Sequence, residues 1–303
     1  MLLMGTALNV LDTWLPIVGQ LRARGKTANL LIPYSHIIRR SSPDDVLISL
    51  GNTYFENVFV QHRGEILKLH SLEHAWACFN TDFVGSSARW RTWQVVQVAR
   101  RASPPRRFRT NISEILDAIR GEALLSDWSN YRGSAEFHDQ IIREAENRNF
   151  SIFSIDHSTV PTVGEPTKQV PAGWTHFWNL RDHNAMTSHS SRRMVGAGIP
   201  RHDPQWVSKV IDKSAKQHPN LPDRYALLLS HGGHEDLSFS DDSRREAIVR
   251  VAQETSALGM PLVVRKHPTE VLPPNSEYLL SGAHPLHLLS RASVLIVFIT
   301  STV

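Results

Sequence analysis

The chain has 303 residues, one cysteine and a formal net charge of +4. Hydrophobic residues at 41% and charged residues at 20% exclude a disordered or fibrous chain, and the length suits two domains better than one core. The single cysteine, Cys78, excludes a disulfide framework and fits a reducing compartment; within "HAWACF" it reads as a small apolar residue, with a catalytic thiol as the alternative.

The opening "MLLMGTALNVLDTWLP" is apolar but lacks a basic flank and is interrupted by Asn9 and Asp12, so it reads as mature protein and not as a signal peptide. Leu11, Trp14, Leu15, Val18 and Leu21 recur at helical spacing, and Gly25 sits where a helix C-cap belongs. "ANLLIP" is a short buried strand. "SSPDDVLISLG" begins with a Ser N-cap and Pro43 at the first helical position, and its helix is expected to stop at Gly51. "YFENVFVQ" is the next strand. Helices are expected over about 64–79, 86–102, 111–125 and 134–148, and a strand over "FSIFSID", residues 150–156. This alternation predicts a mostly parallel sheet covered by helices on both faces.

A seam of prolines and polar residues around one helical segment spans residues 204–223. The pattern then restarts. "YALLLS" is a strand, "DDSRREAIVRVAQETSALG" a helix with acids at its start and Gly259 at its end, "PLVVRKHP" a strand, "HPLHLLSRA" a short helix and "SVLIVFI" a buried strand. A parallel strand needs a following helix to cover its sheet, so the expectation is either that the natural protein continues past Val303 or that this is a truncated gene product. The run "VLIVFI" is far short of the ~20 residues that span a bilayer, which predicts a soluble or peripheral protein. Zinc-finger spacing, an RNP motif and a helix-turn-helix pattern are all missing, so nucleic acid is not expected as a partner.

Ligands of open parallel sheets bind beyond the carboxyl ends of the strands. Polar residues follow five strand segments. His157 follows "FSIFSID"; Arg201, His202 and Asp203 follow the segment near Val195; His231, Gly232, Gly233 and His234 follow "YALLLS"; Lys266, His267 and Glu270 follow "PLVVR"; Thr300, Ser301 and Thr302 follow "VLIVFI". Lys and Arg supply charge to a diphosphate, glycines admit the backbone closely, and hydroxyls opening a helix donate to an anion. A histidine of near-neutral pKa serves as acid or base.

The strings "GIPRHD", "RKHPTE" and "ITSTV", at these separations, resemble GT-B-type transferases of bacterial surface-polysaccharide and teichoic-acid synthesis, such as CDP-glycerol glycerophosphotransferases and capsule glycosyltransferases. The resemblance covers about residues 150–303. It implies an α/β fold of two Rossmann-like domains facing across a cleft. Residues 1–203 would be the acceptor side and residues 204–303 an incomplete donor side. It implies transfer of a glycosyl or glycerophosphoryl group from a CDP- or UDP-linked donor to a saccharide or lipid-linked acceptor, in the cytoplasm and without metal or cofactor. His157 would be the base, although the family shows His-Gly where this chain has "DHST". His267 and Lys266 would meet the leaving phosphate, with Ser301 and Thr302 beside them; Arg201, Gly232 and Gly233 complete the phosphate contacts.

Three other readings stay open: a nucleotide-sugar epimerase of the same fold, a metallohydrolase built on His231 and His234 with Glu235 and Asp236, and a non-catalytic remnant. The metal reading lacks the helical i, i+4 histidine pair of zinc hydrolases. Residues 89–109 hold seven arginines with Trp90 and Trp93 three apart. Such a segment either docks on an anionic membrane, placing the protein on the inner membrane face, or is a solvated face with its tryptophans turned inward.

Overall fold

A computed structural model describes residues 1–4, 8–33, 38, 46–62, 65–79, 106–109, 112–119, 121–127, 135–155, 173–178, 193–196, 198–230, 240–266, 270, 272 and 275–297. The chain forms two compact units, Met1–Pro43 with Leu47–Asp203 and Asp44–Val46 with Pro204–Val303.

In the first unit the strands are β1 (Leu2–Met4), β2 (Asn29–Ile32), β3 (Asn57–His62), β4 (Glu65–Leu69), β5 (Arg106–Arg109), β6 (Ala123–Asp127), β7 (Ser151–Ile155), β8 (Thr175–Trp178) and β9 (Arg193–Gly196). They form one sheet in the order β5-β4-β3-β2-β1-β6-β7-β8-β9. From β3 to β9 every neighbouring pair is parallel, and β4 and β5 add an antiparallel edge. The described helices are α1 (Leu8–Ala23), α2 (Val46–Tyr54), α3 (Leu72–Phe79), α4 (Ile112–Ile119) and α5 (Ala135–Asn147). Leu11, Trp14, Leu15 and Val18 form the buried stripe of α1. Gly25 ends it at φ 76°, its N–H donating to the Arg22 carbonyl, as the sequence suggests. One sheet face packs Leu2, Met4, Leu31, Phe59, Leu124 and Ile152 against Ile115, Leu116 and Ile119 of α4 and Ile141, Ile142 and Ala145 of α5. Arg148, just past α5, joins the two helices by contacts to Asp117, Glu144 and Ser113.

The second unit repeats the logic on a smaller scale. After a 3-10 turn at Pro200–His202 in the first unit come α6 (Pro204–Gln217), β10 (Ala226–Leu229), α7 (Asp241–Ala257), β11 (Leu262–Arg265), β12 (Tyr278–Leu280), α8 (Pro285–Arg291) and β13 (Val294–Val297). The four strands are all parallel, in the order β12-β11-β10-β13. Alternation along β10 sends Ala226 and Leu228 to a core shared with Ile248 and Ala252 of α7, and Leu227 and Leu229 to a core shared with Leu288 of α8. Ser240 caps α7 by accepting from the Ser243 N–H.

Several local expectations are corrected. Residues 65–69 form β4 and not the start of a helix, because Ile66 and Leu69, three apart, satisfy either periodicity until pairing with β3 decides. The helix expected over 111–125 ends at Ile119, and residues 123–127 become β6. The α2 helix runs through Gly51 to Tyr54. Gly51 serves close packing: a Cβ there would collide with the side chain of Leu72 on α3. The strand "SVLIVFI" is less buried than expected, with Val294, Leu295 and Val297 about two-fifths exposed (41%, 41% and 40%). The segment 86–102 and the arginines at 89–101 lie outside the described residues, while Arg106, Arg107 and Arg109 belong to edge strand β5. Cys78 is half-buried on α3. Among the described residues no helix is long and apolar enough to cross a membrane.

Candidate functional site

Both sheets reverse their strand order once. In the first unit, β1 lies between β2 and β6; in the second, β10 lies between β11 and β13. Crossovers leave opposite faces at such points and open a crevice beyond the strand ends, where ligands of this architecture bind. Beside the first crevice stands Asp127, the last residue of β6, whose strand pairs with β1. Sequence reading missed it because "EALLSD" was absorbed into a helix; the glycine at 121, ahead of a short apolar run, was the available signal.

Of the residues picked from sequence, Arg201, His202, Asp203, Lys266 and Glu270 are described. Arg201 is half-buried on the 3-10 turn that follows β9, in the first unit. Gly198 takes φ 68° to begin that turn, and the Asp203 N–H closes it on the Pro200 carbonyl. Desolvation, and then the Arg201 charge, lower the pKa of neighbouring His202. Lys266 follows β11 in the second unit. His157, Gly232, Gly233, His267, Ser301 and Thr302 lie outside the described residues, as do His231, His234, Glu235 and Asp236. Among the described residues no group of three or more His, Cys, Asp or Glu side chains is placed to hold a metal ion.

Around Lys266 the second unit assembles a polar cluster. The Lys266 ammonium donates to the backbone carbonyl of Glu270 at 3.2 Å. The Glu270 carboxylate accepts from the Ser230 hydroxyl at 2.7 Å and pairs with Arg244 Nε at 2.9 Å. The Arg244 and Glu270 side chains are 2% and 0% exposed, so this is a fully buried ion pair. Ser230 directly follows β10, its N–H donating to the Arg265 carbonyl at 3.0 Å. Arg244 lies in the first turn of α7 and shares its buried stripe with Ile248 and Ala252. That placement was legible: an arginine at i−4 and i−8 from core positions needs a buried carboxylate partner. Among the described residues no carboxylate pairs with Lys266, whose ammonium rests on a carbonyl dipole.

A second buried polar pair lies in the first unit. Ser154 Oγ and His176 Nδ1, on register partners of β7 and β8, are 2.9 Å apart, and both residues are inaccessible to solvent. Full burial makes this pair a packing element of the sheet.

By sequence, no protein-family model matches the chain and no curated protein is similar to it. Solved structures do resemble it. A UDP-GlcNAc 2-epimerase from Neisseria meningitidis, bound to UDP-GlcNAc, superimposes with TM-score 0.53 and 13% identity over 99% of this chain and 77% of its own. A putative UDP-N-acetylglucosamine 2-epimerase from Listeria monocytogenes gives 0.54 and 11%, over 99% and 74%. The UDP-GlcNAc 2-epimerase from Methanocaldococcus jannaschii gives 0.52 and 9%, over 98% and 77%. The chain thus has the mixed α/β fold of the GT-B type that these structures share.

Proposed function

We propose that the protein is an enzyme acting on a nucleotide-activated sugar, and that the nucleotide diphosphate sits at the strand ends of the second unit. The observation that carries this reading is Lys266, an exposed cation set at the carboxyl end of a parallel strand next to the point where strand order reverses, above a buried Arg244–Glu270 pair. Among the described residues Lys266 has no carboxylate partner, so a cation at that place balances diphosphate charge without breaking an ion pair with any of them. The likeness to solved epimerases that act on UDP-GlcNAc supports a UDP-linked sugar and, between the two reactions, epimerisation over transfer. In this reading residues 204–303 are the donor side and residues 1–203 the side that faces the sugar. His267, Gly232, Gly233, Ser301 and Thr302 would complete the phosphate contacts, and His157, Arg201 and Asp127 are the strand-end groups available to the sugar.

The two reactions differ in what they consume. An epimerase needs no acceptor and conserves the nucleotide–sugar linkage in its product; a transferase releases nucleotide only as an acceptor hydroxyl is glycosylated. Incubating the protein with UDP-GlcNAc alone and following it by proton and phosphorus NMR separates them. A second UDP-hexosamine at equilibrium with the first supports epimerisation. UDP that forms only after a saccharide acceptor is added supports transfer instead. Failure of UDP, CDP and GDP alike to raise the melting temperature would overturn the nucleotide reading itself.

A further inference from the structure

We infer that Glu270 is a positioning residue for the nucleotide diphosphate; the inference rests on the nucleotide reading and assigns part of its affinity to a group that never touches the ligand. The two ends of Glu270 face different tasks. Its carboxylate is held in the interior by Arg244 from α7 and by Ser230 from the end of β10, and its main-chain carbonyl carries the Lys266 ammonium. Three segments that the sequence keeps apart, at residues 230, 244 and 266–270, therefore meet at one residue, Glu270.

Stability gives little reason for such a pair. The desolvation penalty of two fully buried charges rivals their attraction, and apolar side chains of similar volume commonly hold a core as well. The surroundings reinforce this, since Ile248 and Ala252 on the same helix stripe are ordinary core residues. What the ion pair supplies and an apolar contact does not is direction. A carboxylate that accepts from a hydroxyl at one strand end and lies 2.9 Å from a guanidinium on one helix fixes where residue 270 enters the interior. That in turn fixes the carbonyl on which Lys266 rests, four residues earlier in the chain. The charge balance points the same way: among the described residues Glu270 is matched by Arg244 and no carboxylate pairs with Lys266, which suits an anionic ligand.

The test uses the full chain, with Kd for UDP and for uridine measured by ligand-observed NMR, and melting temperature recorded without ligand. Glu270→Gln keeps an acceptor for Ser230 and removes the ion pair. Ser230→Ala keeps the ion pair and removes one anchor, so it is expected to fold even if Glu270→Gln does not. Both variants are expected to lose UDP affinity, by about 10-fold for Glu270→Gln and about 3-fold for Ser230→Ala, with uridine affinity unchanged. A purely structural role would lower the melting temperature and leave the ratio of UDP to uridine affinity as in the wild type; that result, in whichever variant folds, overturns the inference. Wild-type protein that does not bind UDP would overturn the nucleotide reading first, and is seen separately in the same titration.

Discussion

Lowering the pH should destabilise the second unit through the histidines at the start of α8. His284 is the N-cap of that helix: its Nδ1 accepts from the Leu286 N–H, and its own N–H donates to Ser214 Oγ on α6 at 3.0 Å. His287 is buried, with Nδ1 3.1 Å from the same hydroxyl. Protonating His284 Nδ1 removes the acceptor that the Leu286 N–H needs. Burial first, then the positive charge of Arg265 and the neighbouring His287, lower the pKa of His284 from 6.5 to about 4. Burial, Arg291 and His218 lower that of His287. Because the folded pKa lies below the unfolded one, the unfolded chain binds the proton first. Stability is complete above pH 6.5, declines between 6.5 and about 4, and then levels off. With those two values the linkage for His284 is worth about 2 kcal/mol at pH 5 and approaches about 3 kcal/mol at full protonation.

The assay compares wild type with His284→Asn, a variant that keeps an N-cap acceptor and cannot titrate. Urea unfolding at pH 7.5 and 5.0 should show the wild type losing about 2 kcal/mol more than the variant, with carboxylate effects cancelling in the comparison. NMR titration of the His284 ring should give a midpoint near 4. Equal losses in the two proteins, or a His284 midpoint at the ordinary histidine value, would refute the account.

Two further substitutions test the packing. Gly51→Ala drives a methyl group into Leu72 where α2 meets α3, and should destabilise by about 1–3 kcal/mol in thermal or urea unfolding. Tyr225→Phe removes a buried 2.7 Å hydrogen bond from the phenol to the Leu288 carbonyl. That carbonyl still accepts from the Ala292 N–H, so the loss should stay near about 1 kcal/mol and not reach the cost of an orphaned group.

The sequence by itself determined the alternating α/β class, the long amphipathic helices and the glycine stops at Gly25 and Gly259, because a 3.6-residue stripe over four or more turns and a residue at positive φ are local properties. It also placed Lys266 at a strand end. It did not yield β1, β8 or β12, strands of 3, 4 and 3 residues, which are too short to show a period. Nor did it separate strand from helix at 65–69 and 123–127, where apolar spacing fits both and pairing with β3 or with β1 and β7 settles the matter. Only the tertiary structure decided the strand order, and with it which strand ends flank a crevice, since that depends on crossovers rather than on any one segment. The same holds for the Arg244–Glu270–Ser230 cluster. Each residue is visible in the sequence, but a buried charge finds its partner through space, and this pair stands 26 residues apart (270 − 244) until the sheet and α7 close around it.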